Sequence, residues 1–187
     1  MGLDVLISRE MRRVVYALLG AFLDICRLRR APQDVPASRE LFWLTLAGYT
    51  LSAIALIAID QPMRTALAAG FAETVVLAAA IYAMLSLVGV TSRWLQTMTA
   101  IAGTGLLFSL LSAPLFFFRS AVQSDADVQS AIDLLMLLVL VWNLAVVAHI
   151  LRHALSFPYV AALLLAFGLA WLTAAVLGPL IPAPAVS

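Results

Sequence analysis

The chain has 187 residues, 64% hydrophobic and 11% charged, with a mean hydropathy of +1.06 and a formal net charge of +1. Soluble domains are roughly 45–50% apolar and about 25% charged, and a single core of this size could not hide the surplus from water. The composition excludes an ordinary soluble domain and makes lipid the expected solvent. All eleven basic residues are Arg. The single cysteine, Cys26, has no partner for an internal disulfide and reads as a small helix-packing residue, although its place beside a membrane would also suit palmitoylation.

Residues 3–30 come first. Leu3, Leu6, Ile7, Met11, Val14, Val15, Leu18, Leu19, Phe22, Ile25 and Cys26 recur at three- and four-residue steps, with charges between them. The pattern predicts an amphipathic helix lying in the membrane interface, with Arg9, Arg12, Arg13, Arg27, Arg29 and Arg30 near lipid phosphates. Its uncharged core, residues 14–23, is too short to span; a re-entrant or tilted segment is the alternative. Arg9, Glu10, Arg12 and Arg13 break the first apolar run, so no cleavable signal peptide is expected. Pro32 and Pro36 turn residues 30–38 into a connector. Ser38 is placed to cap the next helix, with Glu40 in its first turn.

Five spanning helices follow, over residues 41–59, 66–90, 95–118, 132–151 and 157–181. Each is near the roughly 20 residues that cross a 30 Å hydrocarbon layer. In lipid a helix satisfies its own backbone groups, and the alternating strands of a barrel are absent. Asp60-Gln-Pro62 stops the first span, Ser92-Arg93 the second and Arg152-His153 the fourth, while residues 119–129 form a polar loop. The expected architecture is an all-α integral membrane protein. Residues 1–38 form an interfacial helix and connector, and 39–187 a five-helix bundle.

Orientation follows from the arginines. With the N-terminus in the cytoplasm, nine lie inside and only Arg64 and Arg119 outside, as the positive-inside rule demands. Residues 183–187 then lie on the periplasmic side of a bacterial inner membrane. The basic cluster adjoins lipid and suits anionic headgroups, not nucleic acid.

Small residues allow helix backbones to approach closely in lipid. Ala162, Ala166, Ala170, Ala174 and Gly178 form one ridge on the fifth span; Ala66, Gly70, Thr74 and Ala78 form another on the second, and Ala100 and Thr104 mark the third. These faces are expected against neighbouring helices. Trp43, Trp94, Tyr159 and Tyr49 read as interfacial anchors near helix ends.

Four polar residues are candidates for function. Glu73, about two turns into the second span, is an ionisable group in the membrane and should face a partner or a water-filled cavity. Asn143 lies near the middle of the fourth span and is expected to hydrogen-bond across to another helix. His149 and His153 share one helical face; that spacing can hold a metal, but no carboxylate or Cys cluster accompanies it, and interfacial snorkelling beside Arg152 is the plainer reading. Asp133 reads as an anion at a helix N-terminus. No phosphate loop, nucleophile elbow or Ser-x-x-Lys is present. No catalytic activity, cofactor or metal is therefore expected.

The connector Pro32-Gln-Asp-Val-Pro-Ala-Ser38, the stretch Leu140-Val-Trp-Asn-Leu-Ala-Val-Val-Ala-His149, Leu155-Ser156 and the Ala-rich last span together resemble bacterial members of the Yip (Ypt-interacting protein) membrane-domain family over residues 20–181. The resemblance implies five spans and a role in membrane organisation or protein assembly, with no catalytic residues. The leading expectation is a scaffold, assembly factor or accessory subunit. It would contact lipids and either other membrane subunits or a second copy. The rivals are a small transporter or channel using Glu73, for which no inverted repeat is evident, and a lipid-interacting, membrane-organising protein.

Overall fold

The computed structural model describes residues 15–122 and 126–181, so Arg9, Arg12 and Arg13 lie outside the described residues. Among those residues it is predominantly helical and contains no strand. A short apolar helix α1 (Val15–Cys26) precedes α2 (Arg39–Ile57), α3 (Met63–Val88), α4 (Trp94–Ala121), α5 (Ala126–Leu155) and α6 (Tyr159–Leu177). The five helices α2–α6 are long and apolar enough to cross a membrane. The protein is a polytopic membrane protein.

Helix ends follow local chemistry. The Ser38 hydroxyl accepts the Leu41 amide at 3.1 Å and caps α2. Gly89, at φ +80°, ends α3 in the left-handed region, where a side chain would be strained. The second span therefore stops short of the Ser92-Arg93 boundary that charge alone suggests. The spans of α4 and α5 are longer than hydropathy predicts. Ala126 already starts α5, because polar residues on an exposed helical turn need no loop. Asp133 thus falls beyond the first turn. Its charge is met by Arg119, whose Nε donates at 2.7 Å, so this ion pair and not a helix terminus accounts for it.

Contacts run α2–α4, α4–α5, α5–α6, α6–α3 and α3–α2, with lighter contacts from α3 to α4 and α5. Composition sets how closely these neighbours approach. The first half of α4 is rich in Thr, Ala and Gly, and Thr97, Met98, Thr99, Ala100, Ala102 and Thr104 are buried. Ile81 and Leu85 of α3 and Ala148, Ile150, Leu151 and Ala154 of α5 pack at the same end, beside the connector. Beyond Gly105 the residues of α4 become bulky and the burial falls; on α5, Leu134, Leu135, Leu137, Leu138 and Leu140 are exposed. Small side chains dominate the packed connector end, and large, exposed ones the far end.

The small-residue ridge of α3 packs on α2. A Cβ on Gly70 would stand 2.5 Å from Ile54 Cγ1, and the Thr50 and Thr74 hydroxyls meet at 2.9 Å. On α6 only Ala162 and Ala166 are fully buried; Ala170 is half-buried, and Ala174 and Gly178 are exposed. Among the described residues that ridge therefore finds a neighbour over its first half alone.

Helix α1 is seated against the bundle. Ala21, Phe22, Ile25 and Cys26 are buried, and the Phe22 ring occupies the space a side chain on Gly103 would need. Gly103 is nine residues into α4, roughly 13 Å along its axis. The Trp142 indole donates to the Cys26 carbonyl at 2.9 Å. The helix stops at Cys26, earlier than Pro32 requires. Leu28 turns left-handed at φ 61°, and the Arg29 amide bonds back to the Asp24 carbonyl, a C-terminal motif that satisfies orphan carbonyls.

Candidate functional site

A partly open cavity of about 410 Å³ is lined by the far halves of α4 and α5 together with residues of α2 and α3. Its polar groups come from four helices: Tyr49 from α2, Glu73 from α3, Ser109 and Ser112 from α4, and Asn143 from α5. Apolar side chains including Phe108, Phe116, Met136 and Leu140 complete the wall.

Glu73 lies ten residues into α3, roughly 15 Å along the axis, and Tyr49 ten residues into α2. The two helices run in opposite directions, so both residues reach similar depth. The Tyr49 hydroxyl donates to Glu73 Oε1 at 2.5 Å. Tyr49 is thus a mid-helix partner of the acid and not the interfacial anchor its aromatic character suggests. The lack of a side chain on Gly105 makes the contact possible, since a Cβ there would stand 2.7 Å from the Tyr49 ring.

Asn143 differs from expectation. Among the described residues its side chain makes no hydrogen bond to another helix, and it faces the cavity instead. At this level α4 meets α5 through the Phe108 ring, 5.1 Å from that of Trp142, and offers Asn143 no polar partner within bonding distance among the described residues. Ser109 and Ser112 likewise show no side-chain hydrogen bond among the described residues. Polar groups in a membrane are costly unless paired or wet. Here three unpaired ones and a carboxyl converge on one space.

Sequence reasoning found Glu73 and Asn143, and the structure brings them together. It missed Tyr49, Ser109 and Ser112. The signal for the serines was present: Gly105, Ser109, Ser112 and Phe116 follow three- and four-residue steps and define one face of α4. The small-to-polar character of that face was readable, but its partner helices were not.

The two histidines belong to a different place. His149 is buried and its Nε2 bonds the Arg30 carbonyl at 3.1 Å; its ring lies 4.6 Å from that of His153. The His153 carbonyl accepts from Gln33 Nε2 at 2.8 Å, and Arg93 reaches the Ala154 carbonyl at 2.9 Å. These bonds tie the connector and the α3–α4 turn to the end of α5. The pair serves that fastening, and no group of three metal-ligating side chains occurs among the described residues. Arg27 pairs with Asp24 at 3.8 Å, and beside the connector Arg29 is exposed and Arg30 half-buried. Burial pushes the Cys26 thiol up to about 11, which keeps it protonated at neutral pH.

The fold and cavity define a helix-bundle membrane protein with a mostly apolar pocket that carries a few convergent polar groups. Comparison of the chain with known protein families, curated proteins and solved structures finds no match.

Proposed function

We propose that this protein is a non-enzymatic, transporter-type membrane protein that binds a small molecule in the cavity around Glu73. The observation that carries this reading is the convergence of Glu73, Ser109, Ser112 and Asn143 from three helices on one cavity. A volume of about 410 Å³ falls within the roughly 300–1,000 Å³ of small-molecule sites, which are mostly apolar with a few convergent polar groups. The arginine asymmetry supports a cytoplasmic N-terminus; with that orientation the cavity lies in the outer half of the membrane. Ser112→Trp, which fills the cavity, tests the reading. A panel of small amines, alcohols, carboxylates and sugars should contain members that raise the melting temperature of the wild-type protein in detergent and leave Ser112→Trp unmoved. Equal shifts in both, or none in either, would contradict it.

One observation favours a second reading, the scaffold or accessory subunit to which the Yip resemblance also points. Ala174 and Gly178 leave a small-residue face of α6 exposed, suited to close packing by another helix. Native mass spectrometry after gentle extraction distinguishes the two: a stable hetero-complex supports this reading, and a monomer in every mild detergent opposes it.

A further inference from the structure

We infer that the cavity recognises a primary ammonium group carried on a compact apolar body. This rests on the ligand-binding reading above and names the ligand class.

Charge decides the sign. Among the described residues Glu73 is the acidic member of the lining, and no Arg or His faces the cavity. An anion would meet a carboxyl in an apolar setting with no cation to offset it. Hydrogen-bond chemistry then narrows the cation. One Glu73 oxygen is occupied by the Tyr49 hydroxyl, and the other has no partner among the described residues. The Asn143 amide oxygen and the Ser109 and Ser112 hydroxyls are further free acceptors. A primary ammonium has three N–H donors and no acceptor, which matches a cluster of separate oxygens. A quaternary ammonium would leave those oxygens unpaired.

Size and wall chemistry exclude a bare metal ion and call for an organic body. The cavity is far larger than a single cation, and most of its wall is apolar. The rings of Tyr49, Phe108 and Phe116 line it. Aromatic faces attract cations, more strongly when water is excluded. Tyr49 acts as a positioning residue, because its bond fixes which carboxyl oxygen faces the cavity.

The same chemistry occurs in a free amine and in the headgroup of an aminophospholipid, and the test separates the two. Full-length protein in phosphatidylcholine nanodiscs is titrated calorimetrically with 2-phenylethylammonium, 2-phenylethanol and 3-phenylpropionate. The amine should bind saturably and the other two at least about tenfold more weakly, the scale expected when a buried charge loses its partner. Glu73→Gln, which keeps the shape and the Tyr49 contact, should lose that preference; Tyr49→Phe should weaken amine binding with the preference retained. Replacing part of the phosphatidylcholine by phosphatidylethanolamine should suppress amine binding if the headgroup is the occupant and leave it unchanged if a free amine is. Binding of the alcohol or the carboxylate as tightly as the amine, blocked by Ser112→Trp, would overturn the ammonium assignment while sparing the pocket. No binding of any probe, or binding indifferent to Ser112→Trp, would overturn both.

Discussion

The Tyr49–Glu73 pair makes a prediction whose sign separates a functional acid from a structural one. Interhelical hydrogen bonds in membranes average about 0.6 kcal/mol and reach about 1.7 kcal/mol. At 2.5 Å, between a hydroxyl and a carboxyl at mid-helix depth, this bond belongs near the upper end. Tyr49→Phe should therefore destabilise the fold by about 1–2 kcal/mol. Glu73→Leu has two opposed effects. It leaves the Tyr49 hydroxyl unpaired, at a cost of roughly 1–3 kcal/mol. It also removes an acid whose placement in a span costs about 2–3 kcal/mol on insertion scales. The double variant Tyr49→Phe/Glu73→Leu escapes both penalties, because an apolar pair replaces a polar one. It should be at least as stable as the wild type, with a coupling of about 1–2 kcal/mol. Unfolding in mild detergent by titration with sodium dodecyl sulfate, followed by tryptophan fluorescence, measures all four corners of the cycle. A double variant less stable than the wild type by the sum of the two singles would show that the pair is no unit and that Glu73 is held for stability.

The remaining predictions concern packing. Gly70→Ala should destabilise by up to about 2 kcal/mol, since overpacking against Ile54 at 2.5 Å costs about 1–3 kcal/mol and the better helix propensity of Ala returns about 1 kcal/mol. Gly168→Ala, with nothing within 4 Å, should be neutral or stabilising in the same unfolding assay. Gly103→Leu should displace Phe22 and loosen α1, which trypsin would report as cleavage at Arg27, Arg29 and Arg30 roughly tenfold faster or more. Cys26, raised by burial from an ordinary value of 9 to about 11, should react with a maleimide at pH 7 about 100-fold more slowly than a free thiol. Gly103→Leu should raise the rate at the same pH by exposing the thiol.

The five spans were legible because hydropathy and length act along the chain, and lipid leaves few alternatives to a helix. Their ends were less so. Gly89 stops α3 through a left-handed turn that charge does not signal, and α5 begins before the apolar run that marks it. Glu73 was legible as a cost needing an explanation. That explanation, Tyr49, lies on another helix, and pairing across helices depends on rotation and register that no local pattern carries. Asn143 illustrates the same limit from the opposite side. Its polarity predicted a partner, but at its level α4 meets α5 through the apolar Phe108 ring. The histidine spacing was equally visible, yet what His149 meets is a backbone carbonyl of the connector, which no side-chain motif announces.

The most direct test of the central claim is the accessibility of single cysteines in a Cys26→Ala background. Ser109→Cys, Ser112→Cys and Asn143→Cys line the cavity, whereas Thr104→Cys sits one turn closer to the connector end, where the native side chain is buried. A membrane-impermeant thiosulfonate applied to the outside of intact spheroplasts should modify the first three, and small amines should protect them. Thr104→Cys should react only after denaturation. Cavity positions as silent as Thr104→Cys would contradict a ligand pocket at Glu73.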